Sequence, residues 1–268
     1  GACLTLWGSD RGVAGRGRGT ADGEAAPPVV EDRGAAAGAS ARGGGERRQV
    51  LVAPGAATAL DATNAALPKG PDVVHFEGYL FARHALTQKL VDYAVDSNAL
   101  LSIDLAHPGP AGAHWSKVQE AITGAATRAK RDREPVVFGT EEEVAATAAG
   151  LQEAIEKLIE AGFIVVVKKG PEGSSVFSSR ESHTHPPETI VDAADVVDDT
   201  GAGDILAAGF LAAWLNGLSL DECCRLGNAA AALSPANMGG RLTAPQYRYL
   251  FERFEEAGRV KEDREEKE

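Results

Sequence analysis

The sequence is short of cysteine, of aromatic residues, of positive charge and of long apolar runs. Three cysteines among 268 residues, Cys3, Cys223 and Cys224, cannot build a secreted disulfide framework. Their spacing also matches no zinc site, so a reducing, cytoplasmic setting is expected. No apolar stretch reaches the roughly 18 residues of a membrane span. No basic-then-apolar leader opens the sequence, and no membrane partner is expected. Lys plus Arg number 27 against 39 acids, a net charge of −12. That balance favours solubility and argues against nonspecific nucleic-acid binding. No Gly-Lys-Ser/Thr run exists, which excludes a P-loop.

What is present is glycine, alanine and an alternation of strand and helix signals. Residues 11–45 hold ten Gly and nine Ala with scattered Arg. So few large apolar groups cannot offset ordering entropy, and a disordered insertion is expected. An RNA-binding reading of its Gly/Arg content is weaker than that of a tolerated insertion. Residues 1–7 (GACLTLW) and 48–52 read as short strands on either side of it. From residue 71 onward, β-like runs at 73–76, 100–105, 135–138, 163–168 and 175–177 alternate with helical patterns. Those patterns lie at 84–98, 115–131, 141–161 (interrupted near Gly150), 202–215, 220–233 and 246–256. The alternation implies an α/β fold, a mostly parallel sheet flanked by helices on both faces. Residues 258–268 are nearly all charged and are expected to form a disordered tail.

Chemistry concentrates in 196–217, VVDDTGAGDILAAGFLAAWLNG. Gly201, Ala202 and Gly203 leave backbone N–H groups bare at the start of an apolar helix, whose dipole adds positive charge: an anion site. Asp204 places a carboxylate in the same turn. Such a neighbour repels a resting anion but suits a base that deprotonates an alcohol attacking a phosphoryl group. A carboxylate that merely compensates the helix dipole is the plainer reading. A dinucleotide fingerprint would need glycine where Leu206 stands. The Asp199-Thr200-Gly201 triplet of aspartic proteases would need a second copy in a β-rich chain.

The run Asp199–Asp204, with Ala208-Gly209 and Asn216-Gly217 after it, resembles the C-terminal signature of the ribokinase/PfkB family of carbohydrate and nucleoside kinases. Asn228–Ala232 with Gly239-Gly240, Lys169–Gly173, and residues 73–81 and 102–108 also look family-like, with an adenosine-kinase flavour. The resemblance implies a ribokinase-like three-layer domain over 55–257 with a small β lid, partly present as 1–10 and 46–54. It implies ATP-dependent transfer of the γ-phosphate to a hydroxymethyl group of a sugar or nucleoside. Asp204 would be the base, and the Gly201, Ala202 and Gly203 amides the anion hole. Gly170, Gly173 and Asn228 would line the adenine and ribose side of ATP. Mg²⁺ would bridge the phosphates, ordered indirectly by Glu143, although Thr140 stands where the family has Asn and Thr140 with Glu143 also spells a capping box. A monovalent cation, K⁺, is implied beside the anion hole, near Asp198, Thr200, Ser234, Asn237 and Gly239. At Lys168 the family often carries a small hydroxyl residue.

The family opens with a strand bearing an acidic residue, a Gly-Gly segment and a nearby Asn that grip the acceptor. Residues 1–7 and 47–55 read as later lid strands, so the resemblance implies a chain entered after its acceptor-binding third. An exposed lid face would favour a homodimer through the lid strands. A catalytically weak, kinase-like nucleotide- or partner-binding protein is the rival reading. His183 and His185, in a Pro-rich stretch, read as a solvated turn rather than a metal site. Cys223-Cys224 reads as helix packing. His107 and His114 flank a Gly/Pro loop.

Overall fold

The computed structural model describes residues 4–7, 61–63, 67–126, 134–187, 191–192 and 195–265. The expected insertion at 11–45 and the expected strand at 46–54 lie outside the described residues.

Seven strands form one sheet in sequence order. They are β1 (Leu4–Trp7), β2 (Val73–Glu77), β3 (Leu100–Asp104), β4 (Val136–Thr140), β5 (Ile164–Lys168), β6 (Ser174–Phe177) and β7 (Ser182–His185). β2 to β5 run parallel, and β1, β6 and β7 add antiparallel edges. The four parallel strands are buried on both faces because their residues alternate between two apolar layers. Val74, Phe76, Ile103, Val137, Val165 and Val167 face one core, under α1 (His84–Asp96), α2 (Pro108–Ala126), the short α3 (Glu141–Ala145) and α4 (Leu151–Glu160). Val73, Leu100, Val136, Phe138, Ile164 and Val166 face the other, under α5 (Ala202–Leu215) and α6 (Leu220–Leu233). Phe138 meets Phe210 of α5 edge-on, with ring centroids 5.5 Å apart. The expected mostly parallel three-layer α/β architecture is therefore present.

Four expectations change. Leu4–Trp7 was expected in a lid, yet it pairs antiparallel with Val73–Phe76. The open ladder edge of β2 offers unpaired N–H and C=O groups that a β-prone segment can satisfy. α2 starts at Pro108, not Trp115, so the Gly/Pro stretch is the first helical turn rather than a loop. Proline tolerates that position because its missing N–H has no helical partner there, and His107 Nδ1 accepts from the Gly109 N–H at 3.0 Å. α7 (Ala244–Glu265) runs through most of the expected tail. Its Glu, Lys and Arg are strong helix formers, spaced four apart in Glu255/Arg259 and Lys261/Glu265. His183 and His185 lie in β7, not in a turn. Cys223 and Cys224 pack in the α6 core as expected, and burial raises both thiols.

Candidate active site at the C-terminal edge of the parallel sheet

Open parallel sheets bind ligands beyond the carboxyl ends of their strands, and here those ends carry the charged residues. Register sets Glu77 opposite Asp104 and Thr140 opposite Lys168. Lys168 Nζ donates to Asp104 Oδ2 at 2.7 Å, with both side chains largely buried. Burial alone would lower the Lys168 pKa. The Asp104, Glu143 and Asp204 carboxylates outweigh it and raise the value. Asp104 Oδ1 also accepts the Ala106 N–H, which fixes a residue held at φ 59°.

The Gly201–Asp204 turn faces this edge. Gly201 caps α5 at φ +81°, a left-handed conformation suited to glycine. A Cβ there would come within 3.0 Å of the Gly240 Cα, so the 239–240 loop packs directly on the turn. A Cβ on Gly203 would lie 3.4 Å from Lys168 Nζ, so the ammonium sits against the turn, in which the Ala202 N–H donates to Asp199 O at 3.3 Å. Asp204 is exposed at the first turn of α5. Its pKa is nonetheless raised, by desolvation first and Asp104 second, against a lowering by Lys168. The structure thus brings together Gly201, Ala202, Gly203 and Asp204 with Asp104 and Lys168. Sequence reasoning treated Lys168 only as a departure and did not single out Asp104. The signal in the sequence was local: each is the charged last residue of an apolar strand run.

Thr140 and Glu143 form a complete capping box on α3. The Thr140 N–H donates to Glu143 Oε2 at 2.7 Å, and the Glu143 N–H to Thr140 Oγ1 at 3.3 Å. Glu143 is buried, and its charge reaches Lys168 and Tyr79. Burial raises the Tyr79 phenol, and Glu77, Glu143, Asp104 and Asp204 add to the shift. Several carboxylates around one lysine are a hard-oxygen donor set that fits a divalent cation such as Mg²⁺.

Asp198 ties the two loops together. Its Oδ1 accepts the Thr200 N–H at 3.0 Å and its Oδ2 the Gly239 N–H at 2.8 Å. Ser234 is fully buried and its Oγ has no partner among the described residues. An orphaned hydroxyl there fits a monovalent cation. The Asn237 amide does not: it donates to Leu233 O and Gln246 Oε1 and turns toward α7.

On the other side of α5, Gly170 (φ +58°) and Gly173 (φ +88°) bound the β5–β6 turn. A Cβ on Gly173 would lie 2.1 Å from His185 O, so β7 closes on that turn. Asn228 is buried and its amide is committed internally: Ser174 Oγ donates to its Oδ1 at 2.8 Å, and its Nδ2 donates to His185 O at 2.7 Å. It pins α6 to the β6–β7 hairpin instead of presenting a bare amide. His107 caps α2, and His114 packs against His84.

The chain matches the family model described as pfkB family carbohydrate kinase over residues 34–246. It is 38% identical over 96 residues to an ATP-dependent ribose-1-phosphate kinase of Halopiger xanaduensis, covering 34% of this chain and 31% of that protein. It is 32% identical over 101 residues to a nucleoside kinase of Methanocaldococcus jannaschii, covering 38% and 32%. The chain thus spans about a third of the length of these relatives. An adenosine kinase from Sinorhizobium meliloti superposes with a TM-score of 0.57 at 26% identity, over 68% of this chain and 54% of that one. For the apo form of a putative ribokinase II from E. coli the TM-score is 0.60 at 20% identity, over 77% and 68%. No helix among the described residues is long and apolar enough to cross a membrane. With its mostly parallel sheet between two helical layers, its glycine turn before α5 and the family match across most of its length, the chain belongs to the pfkB family of carbohydrate kinases.

Proposed function

We propose that the protein transfers the γ-phosphate of ATP to a hydroxymethyl group of a sugar or nucleoside, with Asp204 as the general base. The observation that carries this reading is one turn of helix. The Gly201–Gly203 turn, the Asp204 carboxylate and the Lys168 ammonium converge there. Asp204 accepts the proton of the attacking hydroxyl. The acceptor oxygen bonds to the γ-phosphorus as the bond to the β,γ-bridging oxygen breaks and ADP leaves. A carboxylate with a raised pKa holds that proton better than an ordinary one. The Gly201 and Gly203 amides and Lys168, held by the α5 dipole and the Asp104 ion pair, stabilise charge on the transferred group, and the Ala202 N–H joins them by turning from the Asp199 carbonyl. Mg²⁺, when bound near Glu143 and Asp104, supplies the positive charge that offsets the surrounding carboxylates. K⁺ beside Asp198 and Ser234 would rigidify the turn. Gly170 leaves the β5–β6 turn open to the nucleotide base, while Gly173 lets β7 close behind it and Asn228 holds that wall. The proposed domain division keeps 55–257 as the kinase unit.

Asp204→Asn is the decisive variant. It keeps the size and the amide geometry but cannot take a proton at neutral pH. Turnover, followed by ADP release over a panel of ribose, ribose 1-phosphate, fructose, adenosine and cytidine, should fall about 10²- to 10⁴-fold. ATP affinity should hold. Unchanged turnover refutes the assignment, and nucleotide binding without turnover on any acceptor favours a binding protein instead.

A further inference from the structure

A second cluster of ligating side chains lies outside this turn, on the hairpin edge. His183 and His185 are two apart on β7, so their side chains share one face of the strand. Their rings stack at 10°, with centroids 6.4 Å apart. Asp221, in the first turn of α6, reaches both: its Oδ1 lies 2.6 Å from His185 Nε2 and 3.3 Å from His183 Nδ1. One ligand atom from each residue falls within 4.8 Å of the others.

We propose that His183, His185 and Asp221 form a binding site for a divalent cation of the zinc class, with water completing the coordination. Two imidazoles and one carboxylate make a borderline donor set, which selects zinc-like ions over Mg²⁺. Tetrahedral zinc with bonds of about 2.0–2.1 Å holds its ligand atoms about 3.3 Å apart. The His183 pair with Asp221 already has that spacing, and the His185 pair needs to open by less than about 1 Å to reach it.

The surroundings orient the ligands as a metal site requires. Glu181 Oε2 lies 2.9 Å from His183 Nε2, so the carboxylate accepts the N–H of that nitrogen and leaves the Nδ1 lone pair for the ion. A carboxylate behind a ligating histidine fixes its tautomer and raises its basicity. Arg225 Nε lies 3.4 Å from Asp221 Oδ2, the oxygen turned away from the histidines. Its positive charge opposes an ion, while Glu181 and Asp221 together outweigh it. The two elements are locked before binding: Asn228, two turns along α6 from Asp221, donates to the carbonyl of His185. All three ligands are partly exposed, which leaves room for water. This inference stands apart from the kinase reading, because none of these residues belongs to the proposed catalytic turn.

The test uses the full chain without an affinity tag, stripped with a chelator and titrated with Zn²⁺ by calorimetry. Co²⁺ absorption serves as a second readout. One zinc per chain is expected, with the intense visible bands of four-coordinate Co²⁺. His183→Gln and His185→Gln should each weaken binding at least tenfold, and Glu181→Gln by about tenfold. Zinc should raise the thermal midpoint of the wild type and not of the double histidine variant. Circular dichroism would check that each variant is folded. The other histidine pair, His84 and His114, has no carboxylate bridging it among the described contacts. Equal zinc binding by the wild type and the folded His183→Gln/His185→Gln variant overturns the proposal. So does a wild type that binds no zinc, since the cluster is then only a hydrogen-bonded His–Asp pair.

Discussion

Removing the Lys168 ammonium should destabilise the protein far more than removing the ion pair as a whole. At an effective dielectric near 20, unit charges at the observed 2.7 Å attract by about 6 kcal/mol before desolvation. Desolvation offsets much of that, so the pair adds little net stability against an apolar replacement. The asymmetry is what the structure makes testable. Lys168→Met leaves Asp104, whose side chain is 4% exposed, without its partner and in the field of Asp204 and Glu143. An uncompensated buried charge of this kind costs about 3–5 kcal/mol. In a chain of this size that is a fall of about 6–20 °C in thermal midpoint. Asp104→Asn with Lys168→Met removes both charges and keeps the acceptor for the Ala106 N–H, so the double variant should be more stable than Lys168→Met alone. Urea unfolding of the four proteins gives the coupling energy directly. A Lys168→Met loss under about 1 kcal/mol, or additive single losses, would show that the pair is solvated and that this account of the site is wrong.

Other outcomes follow from single contacts. Asp204 has a raised folded pKa, so it contributes stability below about pH 3.9 that is lost as pH rises through the folded value. Asp204→Asn should therefore unfold at neutral pH no earlier than the wild type, in thermal melts, even as turnover collapses. Gly173→Ala meets a φ of +88° and a Cβ 2.1 Å from His185 O; a loss of at least about 1–3 kcal/mol in chemical denaturation is expected. Ser219→Ala breaks the capping box of α6, in which Ser219 Oγ accepts from the Glu222 N–H at 3.3 Å. About 1 kcal/mol should be lost, with little change in nucleotide affinity by calorimetry.

Much of this fold was legible in the chain itself. The Phe163–Lys168 run is the most strand-like in the sequence, and β5 stands there, buried on both faces. The Gly150 break between α3 and α4, and the small residues before α5, also stood where local chemistry put them. α7 was read short because a run of charges looks solvated whether or not it is helical. The hairpin histidines were read as a turn because Pro186 and Pro187 follow them, while the pairing that holds β7 comes from β6.

What the sequence determined alone was local. Strand and helix periods, the capping boxes and the glycine turn with its Asp204 depend on neighbours within a few residues, and such patterns are written in order along the chain. What tertiary structure decided was every convergence. Asp104 and Lys168 are 64 positions apart, and His185 and Asp221 are 36 apart. No periodicity couples such positions. They meet because parallel strands end in one plane, and because α6 packs across the hairpin. Charge that looked scattered in the sequence becomes two sites only when the sheet gathers it.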